Sequence, residues 1–337
     1  MYNIEWQRFP LADQEATVHR WLTFQANRGL APNTVMAYGR ALEDYLRFCQ
    51  RTNHTLRQAT SETIALYLRS CTQPETAMQT PLSQATLKQR LTAIRLYYDY
   101  LVEEGVRERN PVGRGQFVPG HPAAGQRGFI PSHPQLPWIP TEAEWQSLVE
   151  GMRTESIRNR FMFALSYDTA LRRGELCLLE VNDIDPAYRQ VYVRAKHSKN
   201  HRARTVQYSE TTGLLYQAYL QERRKLSRAR GPLFLSLSRR NQASPVTIWT
   251  WSKVIRSLAQ RTELDGFTPH TLRHLRLTDL ARAGWELHLI AQFAGHRSLQ
   301  TTTQYIHLSG RDIAQQLQRG MDDIHRWRME ILQSGWL

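Results

Sequence analysis

The chain contains the sequence GHRSLQTTTQY at residues 295–305, in which Tyr305 follows His296 by nine residues. Two more stretches with chemically active side chains precede it, HTLRH at 270–274 and LRRGEL at 171–176. Together they offer a potential nucleophile, imidazoles that can move protons, and guanidiniums that can bind one anion. Such a set can attack a phosphodiester without a metal ion, and we expect the three stretches to meet in the fold.

Each stretch alone is a weak signal. The pattern His-x-x-Arg occurs four times, at residues 54–57, 201–204, 270–273 and 325–328. Most pairs of this kind are surface charges on a solvated helix face. Tyr305 alone would be read as a half-buried tyrosine with a hydrogen-bonded hydroxyl, and Arg172 as the partner of Glu175 in an ion pair at a helix end. The interpretation therefore depends on the stretches occurring together.

The charge of the chain favours a polyanionic partner. The net charge is +14, which is typical of proteins that bind nucleic acid. Residues 1–110 hold 13 Lys and Arg against 11 Asp and Glu, whereas residues 140–337 hold 29 against 19. Only five of the 44 basic residues are lysines. Planar guanidiniums suit bidentate phosphate contacts, although a codon bias explains the same composition equally well.

Length and cysteine usage narrow the class of protein. With 337 residues the chain can form two domains that each bury a core. The three cysteines are far apart and odd in number, so they predict neither a disulfide framework nor a metal site. Apolar runs stay below the ~18 residues of a membrane span, and the N-terminus does not resemble a signal peptide. We expect a cytoplasmic protein with no membrane partner, no metal and no cofactor.

Residues 1–110 predict a bundle of helices. The clearest helix follows Ser83, where apolar residues at steps of four and three form one stripe. The stripe consists of Leu87, Leu91, Ile94, Tyr98 and Leu101. Residues 111–140 then contain seven prolines and five glycines, a composition that excludes a helix or a central strand. We therefore predict a linker at residues 111–139.

Residues 140–337 predict a second, mainly helical domain. Thr141 and Glu144 have the spacing of a capping box at a helix N-terminus. Thr268 followed by Pro269 has the pattern of a cap and a first helical residue, so the stretch at 270–274 begins a helix.

A small β-hairpin interrupts these helices. Val191 and Val193 alternate in one short strand, and residues 205–208 form the other. The polar turn between them contains Lys196 and Lys199. The predicted fold class is therefore mainly α with a small β-hairpin, in two domains.

From Arg172 onward the chain resembles the catalytic domain of the tyrosine recombinase (phage-type integrase) family. That family has an arginine in T-G-L-R-x-x-E-L, a lysine on a β-hairpin, an H-x-L-R-H box, and a G-H box with tyrosine nine residues later. The matching elements here are TALRRGEL at 169–176, Lys196, HTLRH and GHRSLQTTTQY. The likeness covers residues of about 140–310, and residues 1–110 resemble the family's core-binding domain more loosely.

The chain departs from the family pattern at two places. Ala170 replaces the usual glycine, a change for which we expect only close packing to matter. Ala195 and His197 replace the glycines that usually flank the hairpin lysine. This leaves two candidates for that lysine, Lys196 and Lys199, of which Lys196 is favoured by its distance from Arg172 and by its predicted position at a strand end.

The resemblance implies a role for each of three residues at the reacting phosphate. Tyr305 attacks the phosphate, forms a 3′-phosphotyrosine and releases a 5′-hydroxyl. Arg172 and Arg273 contact the non-bridging oxygens and stabilise the transition state.

The resemblance also implies how protons move. Lys196 would act as the general acid for the departing 5′-oxygen, and His270 as the base or hydrogen-bond partner near the nucleophile. His296 would donate a hydrogen bond to the phosphate or position the tyrosine. Glu175 and His274 are expected to support these residues.

The family assembles four protomers on two DNA sites and exchanges strands through a Holliday junction. The resemblance therefore implies double-stranded DNA with specific sites as the partner, and a homo-tetramer on that DNA. Apolar residues between 313 and 331 share one face of a predicted terminal helix. This helix could dock on a neighbouring subunit, as in relatives, or pack equally well on its own domain.

Three alternatives stay open. A type IB topoisomerase or a telomere-resolving enzyme uses similar residues. A DNA-binding regulator with a vestigial active site belongs to a different class, although such a protein would be expected to have lost some of the six residues. A regulator would bind DNA in a salt-dependent way without cleaving it.

Overall fold

The structure is a computed structural model that describes residues 3–73, 80–113, 136–198 and 200–308, with the backbone alone for 306–308. Three predictions fall wholly or mostly outside these ranges. They concern the linker at 111–139, the side chain of Lys199, and the apolar face between 313 and 331.

The chain divides into two compact units, Met1–Pro134 and Gln135–Leu337. Each unit has a hydrophobic core of its own, and the predicted fold class is confirmed: mostly helices with one small antiparallel sheet. The limits of 1–110, 111–139 and 140–337 stay predictions. Among the described residues, no helix is both long and apolar enough to span a bilayer.

The N-terminal unit is built from helices packed around aromatic side chains. They are α1 (Pro10–Gln14), α2 (Ala16–Asn27), α3 (Pro32–Arg51), α4 (Ser61–Thr72) and α5 (Gln84–Glu103). Ser83 caps α5 by accepting a hydrogen bond from the Thr86 amide. The predicted stripe on α5 packs into the core, where the hydroxyls of Tyr45 and Tyr98 lie 3.0 Å apart.

The C-terminal unit is also mainly helical. Its helices are α6 (Glu142–Met152), α7 (Ile157–Thr169), α8 (Arg173–Cys177), α9 (Glu210–Leu226), α10 (Ile248–Arg261), α11 (Pro269–Arg282), α12 (Leu287–Ala294) and α13 (Gln300–Leu308). Thr141 forms the predicted capping box with Glu144. Thr268 caps α11 with Pro269 at the first helical position. Both predicted helix starts are confirmed.

The sheet of this unit has three strands in the order β1 (Ile184–Asp185), β2 (Gln190–Val193), β3 (Arg204–Gln207). All pairings are antiparallel, with Val191 opposite Val206. Val191 and Val193 are buried, as their alternation predicts. The second predicted strand is shifted by one residue, and a third, two-residue strand escapes sequence analysis because it is too short to show a period.

A small apolar cluster lies beside the main core of this unit. It gathers residues from the end of α7 and from α11, α12 and α13. Its members are Ala170, Leu277, Leu280, Ile290, Ala294 and Tyr305. The cluster therefore brings the three stretches quoted first into one place, because each of them contributes to or borders one of these elements.

Candidate active site

Arg172 lies where α7 ends and α8 begins. Its Nη1 is 2.9 Å from Oε1 of Glu175, and its Nη2 donates to the carbonyl oxygen of Gly295 at 3.0 Å. The ion pair with Glu175 was one reading of Arg172 from sequence, and it is present. The second bond crosses to the stretch that carries Tyr305, so Arg172 joins two of the three stretches.

Arg273 is fastened to the protein by two backbone carbonyl groups. Its Nη1 donates to the oxygen of Ala170 at 2.5 Å, and its Nη2 donates to the oxygen of Ala294 at 2.6 Å. The side chain is buried. Burial, followed by the positive charge of Arg172, lowers the pKa of Arg273 to about 9. A guanidinium in such surroundings gains much from an anion beside it.

One carboxylate serves two arginines at this site. Glu175 is almost fully buried, and besides Arg172 it binds Arg204, whose Nη2 lies 2.7 Å from Oε2. Arg204 also donates from Nε to the carbonyl oxygen of Phe293 at 3.0 Å. This role of Arg204 was not predicted from the sequence. The signal was present in the His-x-x-Arg pattern at 201–204, but nothing separated it from the other three copies.

Ala170 adopts a left-handed conformation, with φ of 48° and ψ of 31°. The expectation that only close packing matters at this position is therefore wrong. A residue with a Cβ in this conformation is strained by about 1–2 kcal/mol, which explains why glycine suits the position. The strained backbone nevertheless points the carbonyl group of Ala170 at Arg273.

Gly295 ends α12 in the same left-handed region, with φ of 63°. A Cβ at this position would lie 2.9 Å from Nη1 of Arg204, so the glycine permits a close approach. Its carbonyl oxygen accepts from Asn200 at 2.9 Å as well as from Arg172. The end of α12 is thus hydrogen-bonded both to the hairpin loop, through Asn200, and to the stretch at 171–176, through Arg172.

Tyr305 is 1% exposed and packs inside the apolar cluster. Its hydroxyl lies 2.9 Å from Nδ1 of His274. Burial raises the pKa of the phenol, while Arg273 and, to a smaller extent, Gln304 act in the opposite direction. The nucleophile candidate is therefore a neutral phenol with an imidazole as its hydrogen-bond partner.

His296 lies against the ring of Tyr305. The two ring centroids are 6.2 Å apart and the planes differ by 9°. Nδ1 of His296 lies 2.8 Å from Oγ1 of Thr302, which orients the ring. Burial, with Arg273 as the strongest charged neighbour, lowers the pKa of His296 to about 3. The ring is therefore neutral over the physiological pH range.

His270 is exposed at the start of α11, one turn before His274. Desolvation lowers its pKa, and Arg273 has the largest effect among the guanidiniums that add to it. His270 borders a cavity of about 510 Å³ that Arg173 and Arg256 also line. The cavity is open, and its charged lining consists of these two arginines and Asp265.

Lys196 lies within a short 3-10 turn, Ala195–His197, and not at a strand end. The predicted position was wrong because β2 ends at Val193, one residue before the cap of this turn. The side chain is exposed, and with Arg194 it lowers the pKa of Glu180. The contacts described for Lys196 thus lie away from Tyr305 and the arginines.

The structure therefore brings together five of the six predicted site residues: Arg172, His270, Arg273, His296 and Tyr305. Among the described residues, the guanidiniums of Arg172, Arg204 and Arg273 are opposed by the carboxylate of Glu175, and the neighbouring imidazoles are neutral. In the described ranges there is no group of three His, Cys, Asp or Glu side chains placed to hold a metal ion. Such a site can bind an anion and can bring a phenol to it.

Comparison with known proteins identifies relatives along most of the chain. The model of the phage integrase family matches residues 140–311, and that of the phage integrase N-terminal SAM-like domain matches residues 18–105. The tyrosine recombinase XerD of Halalkalibacterium halodurans is 27% identical over 87% of this chain and 93% of its own. XerD of Caulobacter vibrioides is 28% identical over 90% of this chain and 95% of its own.

Solved structures share the fold. The XerH site-specific recombinase in a post-cleavage complex with a palindromic difH substrate has a TM-score of 0.66 at 18% identity, covering 94% of this chain and 85% of its own. The Tn1549 transposon integrase in complex with a circular intermediate DNA has a TM-score of 0.65 at 15% identity, covering 84% and 92%. The match of the catalytic family model, together with the arrangement of the three stretches, leads to one conclusion: the chain belongs to the phage integrase family.

Proposed function

We propose that this protein is a site-specific DNA recombinase that cleaves and rejoins DNA through a 3′-phosphotyrosine at Tyr305. The observation that carries the proposal is the position of a buried phenol beside Arg172 and Arg273. Their guanidiniums have donors beyond those used by the carbonyl oxygens and Glu175. These donors suit the non-bridging oxygens of a phosphodiester.

The bonding of the arginines supports this chemistry. Carbonyl oxygens hold Arg273 in place without cancelling its charge, so the full positive charge is available to the pentavalent transition state. The single carboxylate, Glu175, orients Arg172 and leaves the site with an excess of positive charge. His296, kept neutral and oriented by Thr302, would donate from Nε2 to the phosphate.

The general acid is one of the two hairpin lysines. Lys196 was favoured by its distance from Arg172 and by its predicted strand-end position, and the second of these reasons no longer holds. Lys199 directly precedes Asn200, whose side chain binds the same carbonyl oxygen as Arg172. The sequence neighbour of Lys199 thus contacts the site, whereas the neighbours described for Lys196 do not. We therefore propose both lysines as candidates, with paired alanine variants as the test.

The proposed substrate is double-stranded DNA carrying specific recombination sites. Similar solved structures contain difH DNA or a circular intermediate DNA, and the excess of arginine in this chain suits the same kind of ligand. A homo-tetramer acting through a Holliday junction in the cytoplasm completes the proposal.

The test is the trapping of a covalent adduct. Duplex sites would be mapped by footprinting on DNA that flanks the gene, and a nick would be placed so that the cleaved end diffuses away. The wild type should become covalently linked to the 3′-phosphate, and Tyr305→Phe should not. Tyr167→Phe is the matched control, because its hydroxyl also makes a hydrogen bond, to Asp279 at 2.7 Å, outside the site.

Each result separates the alternatives. Salt-dependent binding with no adduct from the wild type would indicate a DNA-binding regulator. Relaxation of supercoiled plasmid without a specific site would indicate a type IB topoisomerase. An adduct in Tyr305→Phe equal to that of the wild type would contradict the assignment of the nucleophile.

A further inference from the structure

The hydrogen bond between Tyr305 and His274 joins the nucleophile candidate to a residue with no assigned chemical role. His274 is in the second turn of α11, and its Nδ1 lies 2.9 Å from the phenol oxygen on α13. The ring centroids are 5.8 Å apart. Because the tyrosine side chain is enclosed, water has little access to the phenolic proton, and His274 is the base in hydrogen-bond contact with it.

The surroundings favour the phenol as the donor in this hydrogen bond. The side chain of Gln304 lowers the pKa of Tyr305 and so favours release of its proton. Burial, followed by His270 and Arg273, lowers the pKa of His274 to about 4. The imidazole is therefore neutral at physiological pH. A neutral imidazole with the proton on Nε2 presents a lone pair at Nδ1, and the phenol donates to it.

The charged groups that face His274 are positive or neutral. On its own helix they are His270 and Arg273, and from the loop before α13 it is His296. The acidic residue nearest along α11, Asp279, accepts from Tyr167 of α7 instead. In the absence of DNA the imidazole is thus a weak base. A phosphodiester bound by the arginines would bring negative charge and make protonation of His274 more favourable.

We propose that His274 accepts the phenolic proton of Tyr305 during DNA cleavage. The O–H bond of Tyr305 breaks and its proton moves to Nδ1 of His274. The phenol oxygen forms a bond to phosphorus, the bond from phosphorus to the 5′-oxygen breaks, and the general acid protonates that oxygen. His274 returns the proton when the 5′-hydroxyl attacks the phosphotyrosine and the strand is rejoined.

This inference rests on the proposed function and changes one part of it. The resemblance implied His270 as the base or as a hydrogen-bond partner near the nucleophile. His270 is exposed at the start of α11, whereas the hydrogen-bond partner of Tyr305 is His274. His270 remains available to the phosphate or to the sugar. Among the described residues, His274 is the histidine in hydrogen-bond contact with the reacting oxygen.

His274→Asn tests the proposal, because asparagine can place an acceptor oxygen near the position of Nδ1 but does not take up a proton. In single-turnover cleavage of the nicked substrate at pH 7, we expect the rate to fall about 100-fold, the usual size of a general-base contribution. DNA binding should stay within about twofold of the wild type. The rate of the variant should then rise with pH, as the ionised fraction of the Tyr305 phenol increases.

A modified substrate separates loss of the base from loss of the acid. When sulfur replaces the bridging 5′-oxygen, the leaving group departs without protonation. This substrate should restore cleavage by a variant that lacks the general-acid lysine, and it should not restore cleavage by His274→Asn. His288→Asn, an exposed histidine on α12, is the matched control and should behave as the wild type.

Three outcomes would overturn the proposal. They are cleavage by His274→Asn within threefold of the wild type, a reduced rate with an unchanged pH profile, and restoration by the sulfur substrate. Thermal unfolding of the variant excludes a folding defect as the cause of a low rate. If the wild type forms no adduct, the proposed function has failed. If the wild type forms an adduct and His274→Asn cleaves at a similar rate, only this inference has failed.

Discussion

Arg107 in the N-terminal unit and Arg273 in the C-terminal unit are held in the same way but have different neighbours. Arg107 donates to the carbonyl oxygens of Leu56 and Ala59 at 2.6 and 2.7 Å. Its guanidinium lies over the ring of Tyr98, at 5.0 Å. Arg273 also donates to two carbonyl oxygens, but it lies beside Arg172.

The difference shows what turns a structural arginine into part of an anion site. Carbonyl oxygens fix a guanidinium in both units, so fastening alone implies no function. Stacking on an aromatic ring stabilises the charge of Arg107. At Arg273 the other guanidiniums raise the local positive potential, and a bound anion would relieve it.

Lysine substitution should show the largest difference between Arg273 and Arg107. Arg273→Lys loses the planar fork, so it cannot bind two carbonyl oxygens and a phosphate together. We expect the cleavage rate to fall about 1,000-fold, measured as adduct formation under single-turnover conditions. Arg107→Lys should lower the unfolding temperature but leave the rate of the folded protein unchanged. Equal loss of rate in both variants would contradict the distinction.

Glu175→Gln should give the next largest effect, because it removes the one carboxylate among these guanidiniums. We expect the free energy of unfolding at pH 7 to fall by about 3 kcal/mol, as for a broken buried ion pair. Chemical denaturation measures this change. Glu222→Gln breaks an exposed pair with Lys225, 2.7 Å apart, and should change the free energy by less than about 1 kcal/mol.

The stability difference between the wild type and Glu175→Gln should depend on pH in one direction. Burial alone would raise the pKa of Glu175, but Arg204 and Arg172 lower it below its usual value. The stabilisation is therefore present above the unfolded pKa of about 4.3 and is lost as the pH falls through the lower, folded pKa. The difference in stability between the wild type and Glu175→Gln should therefore shrink as the pH is lowered below about 4.3. A difference that does not change on acidification would contradict the ion-pair explanation.

Gly295→Ala should have a smaller effect on stability and on the cleavage rate. The left-handed backbone costs about 1–2 kcal/mol with alanine, and the new Cβ would also press on Arg204. Gly284→Ala is the control, because its φ is 79° and nothing lies within 4 Å of the added atom. Gly295→Ala should therefore lose more stability than the control and should also cleave more slowly. Identical stability losses in the two variants would show that the Arg204 side chain can move away from the new Cβ without a loss of stability.

The elements of the fold could be predicted from the sequence, but the contacts between them could not. The stripe on α5 and the caps at Thr141 and Thr268 are local patterns, and local patterns are readable in one chain. The position of Lys196 at a strand end was predicted wrongly, because β2 already ends at Val193 and Lys196 lies in the 3-10 turn that follows. The strain at Ala170 could not be seen either, because a left-handed conformation depends on where the carbonyl group must point.

The sequence predicted which residues belong to the site, but not the hydrogen bonds and ion pairs between them. Order and spacing selected Tyr305, His296 and Arg273, since the resemblance covers those stretches. Arg204 and His274 depend on long-range contacts, with Glu175 across 29 residues and with Tyr305 across 31. Contacts of that kind leave no local pattern, so only the folded structure could reveal them.

A single helix carries two parts of the site. Thr302 and Tyr305 are both buried and lie three residues apart on one face of α13, and the first orients His296 while the second is the proposed nucleophile. If α13 leaves its place, the phenol and the oriented imidazole are lost together. Movement of this one helix would therefore remove the ability of a protomer to start cleavage in a single step.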